Sequence, residues 1–95
     1  MPPKMTTVTG SNSKHKVELY ALSTCIWCRK TRQWLEAHGV SYDYVYVDLL
    51  SSAEREDVLD IVSRWNPRTN FPTLVVDNQK VIWGYQPEQM QEALL

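Results

Sequence analysis

The chain has little cysteine, no charge of one sign and no long apolar run. Each shortage closes a class of function. Ten basic residues nearly balance eleven acidic ones, so no cationic field points to nucleic acid or an anionic membrane as a partner. No apolar stretch approaches the ~18 residues of a membrane-spanning helix. Lys4 is followed by no apolar segment, so a secretory leader is not expected, and a reducing, cytoplasmic setting is. Two cysteines are too few for a secreted disulfide scaffold. No repeat and no internal linker appears, and 95 residues suit one small domain.

The first fifteen residues are rich in Pro, Thr, Ser, Lys and Gly and show no sustained period. They read as a disordered tail, leaving residues 16–95 as the folded unit. Val17 to Leu22 is nearly continuous in apolar residues, the pattern of a strand buried on both faces. From Cys28, helical spacing carries Thr31, Trp34 and Leu35, and Gly39 closes the helix. Tyr42 to Val47 is strand-like, with Tyr42, Tyr44 and Tyr46 on one face. Ser51 and Glu54 form a capping-box pattern ahead of a helix with Val58, Ile61, Val62 and Trp65 on one side, stopped by Asn66-Pro67. Thr73 to Val76 and Lys80 to Trp83 read as a hairpin through Asp77-Asn78. Pro87 opens a last helix, Glu88 to Leu94. The order βαβαββα predicts an α/β fold: a mixed four-stranded sheet flanked by three helices, its first two strands parallel through a right-handed crossover.

The two cysteines stand together in Thr24-Cys25-Ile26-Trp27-Cys28, where the first strand meets the first helix. Unbonded amides and the positive end of the helix dipole face the Cys25 sulfur. Arg29, Lys30 and Arg32 add positive charge, and Arg29 is the candidate to stabilise the thiolate. Each effect favours thiolate over thiol at Cys25. Cys28, one turn on, turns toward the core. An exposed thiolate with a second thiol in reach performs dithiol–disulfide exchange: one sulfur attacks, the other resolves. A structural staple is a poor alternative, because so short a loop contributes only about 2 kcal/mol against ~4.7 for a hundred-residue loop. Half of a zinc site, or a cluster bridged between two chains, needs ligands from elsewhere. Only His15, in the tail, and His38, at the far end of the helix, remain in one chain. Asn70-Phe71-Pro72-Thr73 precedes the third strand, where Pro72 marks a strand start or a cis bond.

Together these residues resemble the glutaredoxin family, within the thioredoxin fold. The likeness covers Val17 to Leu95. Cys25-Ile26-Trp27-Cys28 stands where the family has Cys-Pro-Tyr-Cys, and Asn70-Phe71-Pro72-Thr73 where it has Thr-Val-Pro. The resemblance implies Cys25 and Cys28 as catalytic residues, with a redox-active Cys25–Cys28 disulfide and no bound cofactor or metal. It implies a cis Pro72, a Phe71 backbone offered to substrate, and a substrate surface of Trp27, Asn70, Phe71, Pro72, Gly84 and Tyr85. Trp27 and Tyr85 also read as packing or surface aromatics. The departures are informative. Leu22 replaces the lysine that glutathione-using members carry three residues before the first cysteine. Trp83-Gly84-Tyr85-Gln86-Pro87-Glu88 replaces their Gly-Gly and acidic pair, and is similar to the Ser-Gly-Phe-Arg-Pro-Asp run of redoxins that serve ribonucleotide reductase. The expectation is a monomeric reductase of protein disulfides, ribonucleotide reductase among its targets, recharged by thioredoxin reductase. A glutathione-dependent enzyme and a dimeric zinc or iron–sulfur carrier are the alternatives.

Overall fold

Apolar side chains run nearly unbroken through β2 (Val17–Ala21), a pattern that needs cover on both faces, and both faces receive it. A computed structural model describes residues 5–95. In it Val17, Leu19 and Ala21 join the cluster that holds Cys28, Leu35, Ile82, Met90 and Leu94. Tyr20 points the other way, into the cluster of Val45, Val47, Val58, Val62 and Val75. The helices α1 (Ile26–Ala37) and α3 (Pro87–Leu94) therefore cover one face of the sheet, and α2 (Ser52–Trp65) covers the other.

β2 runs parallel to β3 (Tyr42–Tyr46), as the helical crossover requires. On its other side it pairs antiparallel with β4 (Thr73–Val76), which turns back into β5 (Lys80–Trp83). The hairpin turns at Asp77 and Asn78, both at positive φ, a conformation that Asn and Asp tolerate. Val47 leaves β3 for a 3₁₀ turn, Val47–Leu49, that leads into α2. The Ser51 hydroxyl accepts the Glu54 N–H at 3.3 Å and donates to the Glu54 carboxylate at 2.8 Å. Gly39 takes φ +67° just past the end of α1, as its place at the helix terminus requires.

The fold is thioredoxin-like, but its sheet has five strands rather than four, in the order β1 (Thr6–Val8), β3, β2, β4, β5. The added strand, β1, pairs antiparallel with β3 along its open edge. It comes from the segment expected to be a disordered tail. Ladder pairing suits the β-branched residues Thr6, Thr7 and Val8. Beyond it, Gly10 and Ser41 exchange hydrogen bonds, and Asn12 bonds Gly39, Ser41 and the Leu94 carbonyl. Lys16 and His15 close on Asp77. The ordered unit thus reaches back to Met5; the first four residues of the expected tail lie outside the described residues. Among the described residues no helix is long and apolar enough to cross a membrane.

Candidate active site

Cys25 occupies the N-cap of α1 in extended conformation, φ −87° and ψ 119°. A cap residue's side chain bonds the free amides of the first turn, a role usually filled by an oxygen. Here the Cys25 sulfur takes it, accepting the Cys28 N–H at 3.3 Å. A sulfur so placed faces the positive end of the helix. Cys25 is half-buried, whereas Cys28 is 0% exposed. Both are free thiols. Burial, and next the bond with Cys25, push the Cys28 thiol well above its ordinary value, so Cys28 is held neutral at physiological pH. The pair is chemically asymmetric: one sulfur is reachable and presented to a donor, the other is buried and protonated.

A groove of about 250 Å³ adjoins this helix start, lined by Trp27, Phe71, Pro72, Gly84 and Tyr85. It gathers five of the six expected substrate residues. The Phe71–Pro72 peptide is cis, and the Pro72 carbonyl accepts the Gly84 N–H at 2.8 Å, tying the two loops together. Gly84 has φ +78°, a conformation costly for a residue with a Cβ. Trp27, 52% exposed, stacks on Tyr85 with ring centroids 6.2 Å apart and planes 24° from parallel. Lys30 holds its ammonium 5.0 Å from the Trp27 ring centroid. The sixth residue, Asn70, lies elsewhere. It lines a neighbouring hollow, where its carbonyl and side-chain oxygen accept from the Asn66 amide. Arg29 is exposed, and its bond to Cys25 is a backbone one, N–H to carbonyl at 3.1 Å.

Two further contacts support the site. Asp48 accepts both the backbone N–H and the hydroxyl of Ser23, two residues before Cys25, and these bonds hold its carboxyl below the usual range. Asn66, 1% exposed, organises the loop that carries Phe71 and Pro72. Its amide nitrogen serves Asn70 and Thr73, and its side-chain oxygen accepts the Arg68 N–H. Neither was identified as a site residue from the sequence, since Ser23 and Asp48 lie far apart in the chain and Asn66 reads as a helix stop. Among the described residues no three His, Cys, Asp or Glu side chains gather where they would hold a metal. His15 is paired with Asp77 at 2.7 Å, and His38 stacks on Trp34.

The family model for glutaredoxin matches residues 17–81. The chain belongs to the glutaredoxin family. It is similar to the methanoredoxin of Methanosarcina acetivorans, 44% identical with a TM-score of 0.81 over 83% of each chain. It is also similar to the glutaredoxin of Methanosarcina mazei Go1, 41% identical with a TM-score of 0.87, covering 95% of this chain and 86% of that one. Among curated relatives, the Gene 56 protein of Mycobacterium phage D29 is 31% identical over 78 residues, 82% of this chain and 81% of its own. The fold of this chain is that of a glutaredoxin-like thiol oxidoreductase.

Proposed function

We propose that this glutaredoxin reduces protein disulfides by dithiol exchange through Cys25 and Cys28. The observation that carries the reading is the Cys28 N–H bonded to the Cys25 sulfur at a helix N-terminus, beside the Trp27–Tyr85 groove. The Cys25 thiolate attacks one sulfur of the target disulfide. The target S–S bond breaks, a Cys25–target disulfide forms, and the leaving sulfur takes up a proton. Cys28 then gives up its proton and attacks the Cys25 sulfur. The mixed disulfide breaks, the second target thiol leaves, and Cys25–Cys28 remains as a disulfide. Two electrons pass to the target, and an external reductant restores the dithiol. Phe71 and Pro72 offer backbone to the incoming chain, and Trp27, Gly84 and Tyr85 form its floor.

Two features support thioredoxin reductase as the electron source, with ribonucleotide reductase among the targets. The position of the family's glutathione-binding lysine is Leu22, which packs against the valine cluster instead of presenting a cation. At the start of α3 Gln86-Pro87-Glu88 stands in place of the acidic pair that glutathione-using members carry. The cycle needs a reducing supply, and a cytoplasmic monomer is the setting of this proposal. A coupled assay on insulin tests it, comparing NADPH with thioredoxin reductase against glutathione with its own reductase. Sustained turnover is expected with the flavin enzyme. Turnover with glutathione alone would overturn the choice of reductant. Failure of the dithiothreitol-reduced protein to reduce insulin would overturn the exchange chemistry itself.

A further inference from the structure

The groove beside Cys25 does not end at Gly84. A second hollow of about 380 Å³ shares Phe71 and Gly84 with it and continues between Asn66, Arg68, Asn70 and Trp83. A Cβ placed on Gly84 would meet nothing within 4 Å, so the space beside this shared lining residue is open. Resting on the thiol–disulfide reading above, we infer that Arg68 and Trp83 form a specificity subsite for an acidic side chain of the polypeptide substrate, a few residues from the disulfide attacked by Cys25.

The subsite is held by fixed parts. Trp83 is 49% exposed, yet its indole N–H donates to the Trp65 carbonyl at 2.9 Å, so the ring forms a set wall. Asn66 grips the Arg68 backbone through an N–H bond of 3.1 Å, which fixes where the guanidinium starts. No carboxylate lines either hollow. The ion pairs among the described residues are His15–Asp77, Arg32–Glu36 and Arg64–Asp60, and Arg68 belongs to none of them. At the other end of the path the Lys30 ammonium lies over the ring of Trp27, one of the residues that line the first groove. An unpaired guanidinium beside a flat aromatic wall suits a carboxylate on a short apolar stem. An extended substrate advances about 3.3 Å per residue, so the acidic residue is sought at successive positions on either side of the reacting cysteine.

The test uses the full-length protein, reduced and freed of reductant, in stopped flow. The substrates are disulfide peptides that differ only in Glu, Gln or Lys at those positions, with bis(2-hydroxyethyl) disulfide as a small comparison. At low ionic strength the Glu peptide is expected to react about three- to fivefold faster than the Lys peptide, the range one exposed charge pair supports. About 0.5 M salt should shrink that ratio. Arg68→Gln should abolish the preference and Arg68→Glu invert it, with the small disulfide reduced equally by all three proteins. An Arg68→Glu variant that still prefers the Glu peptide would overturn the subsite. So would one whose rate with the small disulfide falls in step. A wild type inert toward peptides and small disulfide alike would instead overturn the exchange reading on which the subsite rests.

Discussion

Asn66→Ala should weaken both the fold and the site, and the structure sets how much. Asn66 makes four hydrogen bonds from a buried position: to the Asn70 carbonyl at 3.2 Å, the Asn70 side-chain oxygen at 2.6 Å, the Thr73 hydroxyl at 3.1 Å and from the Arg68 N–H at 3.1 Å. The losses are unequal. The Arg68 N–H and the Asn70 side chain are near solvent, and water replaces the amide there. The Thr73 hydroxyl keeps its own bond to the Asn70 carbonyl at 2.8 Å, so no buried group is left wholly unpaired. At about 0.5–1.5 kcal/mol net for each bond, with two of the four restored by water, the expected loss is about 2 kcal/mol. In a domain of this size that lowers Tm by roughly 8–16 °C. Asn66→Asp keeps the shape but replaces donors by a buried carboxylate facing two oxygens, and should cost at least as much. Because the freed loop carries Phe71 and Pro72, KM for a protein disulfide should rise while the rate with a small disulfide changes little. Urea denaturation and steady-state kinetics read the two effects. A loss under about 0.5 kcal/mol, with KM unchanged, would refute the reasoning.

Cys25→Ser should abolish disulfide reduction, while Cys28→Ser should accumulate a mixed disulfide with substrate, visible as an added mass that dithiothreitol removes. In the wild type, Cys28 must lose its proton to resolve that adduct and burial opposes this, so resolution should quicken as pH rises from 6 toward 9; a flat profile would contradict it. Arg32 bonds the Tyr42 hydroxyl at 2.9 Å and the Tyr46 hydroxyl at 2.7 Å, with its guanidinium carbon 3.9 Å from the Tyr44 ring centroid. Arg32→Met should therefore cost about 1–3 kcal/mol in thermal unfolding, with Arg32→Lys recovering only part. Asp48 is held below the usual carboxylate range, so its stabilising bonds to Ser23 persist above pH ~4 and fade as pH falls through its depressed value. Wild type and Asp48→Ala should accordingly differ in stability at pH 7 and converge in acid, as urea titrations at several pH values would show.

Much of the architecture is legible because its signals are local. The continuous apolar run of β2 announces a strand covered on both faces, and Asp77-Asn78 announces a hairpin. Gly39 and Pro87 mark helix ends by backbone chemistry that neighbours do not alter. Cys25 and Cys28 are legible for the same reason: their spacing and place at a helix start are one short stretch of chain. What the sequence hid is non-local. Three residues, Thr6 to Val8, are too short to show a period, and only the open edge of β3 makes them a strand. The tail they belong to is held by Asn12 bonding a carbonyl at the far end of the chain. Asp48 and Ser23, or Arg32 and the tyrosines of β3, meet only once the crossover is formed. Asn70 stands near Pro72 in the chain, but it lines the hollow next to the Trp27–Tyr85 groove, where its carbonyl and side-chain oxygen accept from Asn66, and no local pattern announces that.

The most direct test is where a limiting alkylating reagent lands. The reduced protein is treated at pH 7 with substoichiometric iodoacetamide, digested and read by mass spectrometry at its two cysteines. Modification confined to Cys25, with Cys28 untouched until the protein is unfolded, is the predicted result. Equal labelling of both sulfurs, or Cys28 labelled first, would contradict the assignment of attacking and resolving thiols.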